Sequence, residues 1–170
     1  MKNMENKPNF TPRAQRAISI AKKHAKDFGS NVVSLEHLFL GILTLKAGVV
    51  HEVLLEIGAN PVSLMNSISS SLKRNSKKAP REYKEDIKFG TRFKQVLDIA
   101  SVVSLNFNHD YIGIEHLLLA MLKYDNSPIN KYFKALNITN IWSVGKHFLR
   151  INPQKAQLLY LPSWPLRRQH

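Results

Sequence analysis

The chain has 170 residues, a hydrophobic content of 44% and a formal net charge of +13. This length can bury one substantial core or two small cores that share an interface. Cysteine is absent, which excludes disulfides, zinc–thiolate sites and thiol nucleophiles. The N-terminal "MKNMENKPNF" lacks the apolar core of a secretory signal, and no apolar run approaches the ~20 residues that span a bilayer. We therefore expect a soluble, globular, cytoplasmic protein.

The positive charge results from 25 lysines and arginines against 12 aspartates and glutamates, and it is unevenly distributed. Asp125 is the last acidic residue, yet seven lysines and arginines follow it. A surplus of this kind attracts polyanions. Two interpretations stay open, a solvated basic surface and a nucleic-acid-binding helical protein. The second is weakened because no known nucleic-acid-reading motif is present and the basic residues are not concentrated on one helix.

The chain reads as a series of helices. Thr11 is a suitable N-cap for the first helix, Pro12 suits its first position, and Gly29 suits its end. Ser34 caps a second helix, "LEHLFLGILTLK", and "AGVVHEVLLEIGAN" is a third, ending at Gly58. "PVSLMNSISSSLKR" predicts a fourth helix. No segment shows a convincing strand alternation, so the prediction is an all-α protein.

The second half repeats this plan at an offset of 79 residues, from Phe10 to Phe89, without a gap. Apolar positions that differ between the halves mostly stay apolar, as Val33 and Ile112 do. The most alike segments are "NVVSLEHLFLGIL" and "DYIGIEHLLLAML", each with a Glu-His pair at its centre. Agreement over the whole unit indicates two four-helix repeats that pack about a pseudo-twofold axis.

These observations predict five segments along the chain. Residues 1–9 form an N-terminal arm, 10–74 the first repeat and 89–150 the second repeat. Residues 75–88 form a basic linker whose proline discourages a continuous helix. Residues 151–170 form a basic aromatic tail that ends in "LLYLPSWPLRRQH". Such a tail is suited to docking on the domain itself or on a partner. The other interpretation is a linker or a disordered end.

The doubled pattern, most complete in "FTPRAQRAISIAKKHAKDFGSNVVSLEHLFLGIL", resembles the N-terminal domain of Clp-family AAA+ unfoldases of the ClpC and ClpA type. The resemblance covers about Phe10 to Leu149. In that family the domain receives substrates and adaptor proteins at the entrance of a hexameric ring. The resemblance therefore implies a protein-binding module of a Clp unfoldase and protease system.

The chain carries no P-loop G-x-x-x-x-G-K-[ST], so we expect no motor or protease activity, no enzymatic reaction and no cofactor. The start at Met1 and the unusual tail favour a complete small protein, such as a stand-alone accessory or competitor of a host Clp machine encoded by a mobile element. The other interpretation is a portion of a larger unfoldase. The expected partners are Clp substrates or adaptors, or a Clp ATPase or protease assembly, with no membrane.

The resemblance also implies a phosphoarginine pocket in each repeat. For the first repeat the expected residues are Thr11, Pro12, Arg13 and Glu36. A helix N-terminus and a hydroxyl suit the phosphate, and a carboxylate suits the guanidinium. The other interpretation of Glu36 is a favourable charge at a helix start.

The matching residues of the second repeat are Gly90, Thr91, Arg92 and Glu115. Gly90 has no hydroxyl, and Thr91 lies one position out of register. We therefore expect the second pocket to be weaker, altered or lost. Glu115, like its counterpart, can be interpreted as a helix-start charge alone.

His37 and His116 occupy equivalent positions, so the repeat explains why both are present. No H-E-x-x-H motif or acidic cluster accompanies them, which argues against a metal site. We expect both histidines to be packing residues that hydrogen-bond between helices, and we predict no catalytic residue.

Overall fold

A computed structural model describes residues 8–46, 48–76 and 86–138. In these ranges the fold is helical with two very short strands, which confirms the all-α prediction. The predicted tail, the last helix of the second repeat, and most of the N-terminal arm and linker lie outside the described residues. The elements are α1 Pro12–Asp27, β1 Val32–Val33, α2 Leu35–Thr44, α3 Val49–Glu56, α4 Pro61–Ser76, β2 Lys88–Phe89, α5 Thr91–Asn106, α6 Ile114–Lys123 and α7 Asn130–Ala135.

The predicted helix boundaries of the first repeat are confirmed by their capping geometry. The Thr11 hydroxyl accepts a hydrogen bond from the Ala14 N–H at 3.1 Å and begins α1. Gly29, just past the end of α1, has a φ of 66°, a left-handed conformation that suits glycine. Ser34 caps α2, and α4 continues to Ser76, two residues beyond the predicted end of the repeat.

The two repeats are joined by short parallel backbone pairings. Val33 of β1 is paired with Phe89 of β2, and Phe10 forms an isolated parallel bridge with Ile112. The 79-residue offset exchanges these two pairs, because it carries Phe10 to Phe89 and Val33 to Ile112. The predicted pseudo-twofold relation therefore holds at both junctions. Two-residue strands are too short to leave an alternation in the sequence, so the sequence predicts none.

Helices α1 and α2 pack through very small side chains. Gly41 of α2 faces α1 so closely that an added Cβ would collide with the carbonyl oxygen of Ala17. At the offset position the second repeat has Ala120, fully buried, and its α5 presents Val96 where α1 has Ala17. The first repeat therefore brings its two backbones together, whereas the second separates them with larger side chains. The buried face of α1 consists of Ala14, Ala17, Ala21 and Ala25.

None of the described helices alone has the length and apolar composition needed to cross a membrane. Helices α2 and α3 are bent by 99° relative to each other, and only the two together have the length and apolar composition of a membrane-spanning segment.

We expect Gly41→Ala to lower the free energy of unfolding by about 1–3 kcal/mol, because overpacking would force α1 and α2 apart. The matched change in the other repeat, Ala120→Gly, should cost about 1 kcal/mol through helix propensity. Urea unfolding followed by circular dichroism measures both. A Gly41→Ala protein as stable as the parent would contradict the close backbone approach.

Candidate functional site

The starts of the helices that carry the predicted site residues meet across the two repeats. The Thr11 N–H donates to the Ile112 carbonyl at 3.0 Å, which places the start of α1 beside the start of α6. The Gly90 N–H donates to the Val33 carbonyl at 2.9 Å, which places the start of α5 beside that of α2. The α1–α6 site is defined here as Thr11, Pro12, Arg13 and Glu115. The α5–α2 site is defined as Gly90, Thr91, Arg92 and Glu36.

The structure does not bring Thr11 and Glu36 together. Arg13, in the first turn of α1, lies with its Nη2 3.4 Å from the carbonyl oxygen of Leu45, at the far end of α2. Leu45 follows Glu36 by nine residues, a rise of about 13 Å along a helix. The pairing expected from the sequence is therefore corrected: each helix start has the glutamate of the other repeat as its neighbour.

Glu36 is held by two residues of α7, an element of the other repeat. Its Oε1 accepts a hydrogen bond from the Tyr132 hydroxyl at 2.7 Å and lies 3.0 Å from the Lys131 ammonium nitrogen. The whole residue is only 9% exposed. At the offset positions the first repeat has Glu52 and Val53, neither of which can supply these bonds. The contact therefore exists at one of the two pseudo-equivalent places.

The local pKa shifts agree with this contact. Burial lowers the pKa of Lys131, but the hydrogen bond and charge of Glu36 outweigh it, and the net pKa lies above the usual value. Burial is also the main reason that the pKa of Tyr132 is raised, with Glu36 adding to the effect and Ser71 opposing it. The Tyr132 hydroxyl therefore keeps its proton, and Lys131 its charge, around neutral pH.

Glu115 has a different environment. Its carboxylate folds back over Gly113, where a Cβ would lie only 2.5 Å from Glu115 Oε2. The equivalent of Gly113 is Ser34, whose side chain occupies that space, and Glu36 turns instead toward α7. The Glu115 side chain is 28% exposed. Among the described residues it has no lysine or arginine within ion-pair distance.

The two helix starts differ in what they offer an anion. The Thr11 hydroxyl accepts one bond from Ala14, and its own O–H proton remains available as a donor. At α5 the N-cap is Gly90, so no side chain caps the first N–H groups, while Thr91 and Arg92 are exposed. Each start thus has a feature that favours binding an anion. The main asymmetry lies in the two glutamates.

The paired histidines are helix caps. His37 Nδ1 accepts the Ser34 N–H at 3.0 Å, and His116 Nδ1 accepts the Gly113 N–H at 2.8 Å. These Nδ1 bonds lie within each helix start, where the sequence suggests bonds between helices. Both rings are buried, and because Nδ1 accepts in each, the neutral form of either ring carries its proton on Nε2. Within the described ranges, no group of three metal-binding side chains is close enough to hold an ion.

The two histidines differ at this second nitrogen. His116 Nε2 lies 2.9 Å from His109 Nδ1, whereas the buried Nε2 of His37 has no hydrogen-bond partner in the described part of the chain. The offset equivalent of His109 is Ser30. Burial is the main reason that the pKa of His37 falls to about 4, although the neighbouring Glu36 opposes this shift.

Comparison with known proteins identifies this architecture. The family model of the Clp repeat (R) N-terminal domain matches residues 9–136. The chain belongs to this family. The Clp repeat domain is 26% identical over 130 residues to "Negative regulator of genetic competence ClpC/MecB" of Bacillus subtilis. It is 31% identical over 134 residues to a "ClpA homolog" of Guillardia theta. The resemblance predicted from the doubled Glu-His segments is confirmed.

The aligned parts cover 76% and 78% of this chain but only 15% and 16% of those two proteins. The fold also matches solved structures of N-terminal domains. The ClpD domain of Arabidopsis thaliana superposes with a TM-score of 0.64 at 24% identity, covering 84% of this chain and 94% of that one. The Hsp104 domain of Candida albicans gives 0.70 at 17% identity, covering 84% and 91%. The Clp repeat domain thus has the common N-domain fold.

We expect Tyr132→Phe to lower the free energy of unfolding by about 1–3 kcal/mol, since the buried Glu36 carboxylate loses a donor. Tyr124→Phe is the matched control, because its hydroxyl also bonds a side chain, Gln95, but at an exposed place. It should cost less than about 1 kcal/mol. Equal losses in urea unfolding would contradict a special role for the Glu36 contact.

We expect the domain to lose stability as the pH falls from about 6.5 to about 4. In this interval the unfolded chain protonates His37, whereas the folded chain resists it, so the unfolded state gains up to about 3 kcal/mol. His37→Gln keeps an acceptor for the cap N–H and should flatten this part of the pH profile. Thermal unfolding in a pH series tests this, with His51→Gln as the control. If the stability of His37→Gln changed with pH in the same way as that of the parent protein, His37 would not be the source of this pH dependence.

Proposed function

We propose that this Clp repeat domain is a protein-binding module of a Clp-type system that receives protein substrates or adaptor proteins. Family membership supports the proposal, as does similarity to proteins named as ATP-binding subunits of the Clp protease. The domain contributes recognition, and a motor or protease would be supplied by other parts of the system. It would serve this purpose equally as part of an unfoldase or as a separate accessory or competitor in the cytoplasm.

The ligand we propose is a phosphorylated arginine side chain, bound at the α1–α6 site. The phosphate would lie at the start of α1, where the Thr11 hydroxyl and the helix N-terminus favour negative charge. The guanidinium would lie against the Glu115 carboxylate, with charge-assisted hydrogen bonds. Arg13, whose guanidinium lies beside the Leu45 carbonyl, adds a positive charge to the first turn of the same helix.

The decisive observation is the difference between the two glutamates. Glu36 already has an ammonium and a hydroxyl bound to its Oε1, so a guanidinium would have to displace groups of the protein itself. Glu115 is more exposed, and in the described part of the chain no lysine, arginine or hydroxyl would have to be displaced from it. We therefore propose one functional pocket and one self-occupied pocket. Their assignment differs from the sequence-based expectation, in which Glu36 serves the stronger pocket.

Calorimetric titration with free phosphoarginine should give close to one site per chain. Glu115→Gln should weaken binding at least tenfold, because the charged acceptor for the guanidinium is lost. Glu36→Gln should leave the affinity within about twofold, since it changes the other pocket. Circular dichroism checks that both variants fold.

The reverse pattern, loss of binding in Glu36→Gln alone, would restore the assignment expected from the sequence. Two equal sites would show that Lys131 and Tyr132 do not block the α5–α2 site. An absence of binding in the parent protein would reject phosphoarginine as the ligand, and recognition would then rest on other features of the partner protein.

A further inference from the structure

A polar groove of about 550 Å³ lies between α4 and α7, and two of its lining residues, Lys131 and Tyr132, also hold Glu36 of the α5–α2 site. One wall is the polar face of α4, whose residues recur at helical spacing, and the other is α7. The serines and the asparagine are hydrogen-bonding groups suited to a peptide backbone. The lining residues are Asn66, Ser67, Ser70, Ser71, Arg74, Lys131, Tyr132 and Ala135.

The charge of the groove has one sign. Its lining includes Arg74 and Lys131 and no acidic residue. Arg74 is exposed and, among the described residues, has no ion-pair partner. A guanidinium presents its donors as a planar fork that matches a carboxylate. An anionic partner would therefore find one cation on α4 without a described ion-pair partner and a second cation on α7.

The dimensions suit a short piece of extended chain. From Asn66 to Arg74 the helix rises about 12 Å, the length of about four residues of extended peptide. We propose that this groove docks an acidic peptide segment of a partner protein. One carboxylate of the segment pairs with Arg74 and another approaches Lys131, while the α4 serines bond its backbone. The proposal rests on the proposed function, because the segment belongs to a substrate or adaptor.

The groove is coupled to Glu36 through Lys131. The ammonium of Lys131 lies on the Glu36 carboxylate at 3.0 Å, so a peptide carboxylate competes with Glu36 for the same cation. Removing the charge of Glu36 should therefore strengthen peptide binding. In Glu36→Gln the side-chain oxygen can still accept the Tyr132 hydroxyl, so the contact between the repeats is preserved.

The test uses the full chain and a fluorescein-labelled hexaglutamate peptide, with binding measured by fluorescence anisotropy at low salt. Arg74→Ala and Lys131→Ala should each weaken binding at least fivefold, and Glu36→Gln should strengthen it at least twofold. The matched controls are Lys73→Ala and Lys134→Ala, exposed cations on the same two helices that do not line the groove. They should change the affinity less than twofold.

Three results of the peptide assay itself would overturn the proposal. Equal losses in the controls would show diffuse attraction to a basic surface. Weaker or unchanged binding in Glu36→Gln would exclude competition for Lys131. Competition by inorganic phosphate at the same concentration as the unlabelled peptide would show a small-anion site instead of a peptide groove.

A single-stranded DNA oligomer that binds more tightly than the peptide, with the same dependence on Arg74, would also overturn the proposal by assigning the groove to nucleic acid. Two variants distinguish a wrong proposal for this groove from a wrong proposal for the phosphoarginine pocket. Arg74→Ala should leave phosphoarginine binding unchanged, and Glu115→Gln should leave peptide binding unchanged.

Discussion

The exchange of backbone hydrogen bonds between the two repeats is the constraint on which the rest of this domain depends. The segment before α1 pairs with the segment before α6, and the segment before α5 pairs with the segment before α2. Each repeat therefore completes a helix start of the other. A repeat that stood alone would leave these backbone groups unpaired and its apolar face uncovered, which explains why the unit occurs twice.

This exchange also determines which side chains can act together. In the first repeat the start of α1 and Glu36 lie at opposite ends of α2, whereas the helix starts of opposite repeats are neighbours. Any ligand that needs both an anion-binding helix start and a carboxylate must therefore contact both halves of the chain. Binding at such a site depends on the relative position of the repeats, and hence on the packing of the whole domain.

Departures from the repeat give the two halves different properties. Lys131 and Tyr132 hold Glu36, whereas their counterparts cannot hold Glu115 in the same way. Gly113 in place of Ser34 gives the second glutamate a different direction. His109 bonds the buried Nε2 of His116, whereas the buried Nε2 of the equivalent His37 has no hydrogen-bond partner among the described residues. A duplicated fold thus acquires distinct sites through a few substitutions, because identical backbones place different side chains at equivalent positions.

Much of the fold could be predicted because it depends on local signals. The helix caps at Thr11 and Ser34 and the stop at Gly29 involve only neighbouring backbone groups. The spacing of the alanines in α1 follows the helical period. These elements can therefore be located from the sequence. The two-residue strands could not be predicted, since each bridge joins segments that are far apart in the chain. The direction of the Glu36 side chain also depends on a residue 96 positions away.

The sequence by itself determined the helical class, the doubling of the unit, its family resemblance and the list of candidate site residues. The tertiary structure alone decided which of those residues are neighbours and which glutamate is already bound. The physical reason is the range of the interactions. Caps and helical periodicity act over a few residues, whereas bonds between repeats form only after folding has brought distant segments together.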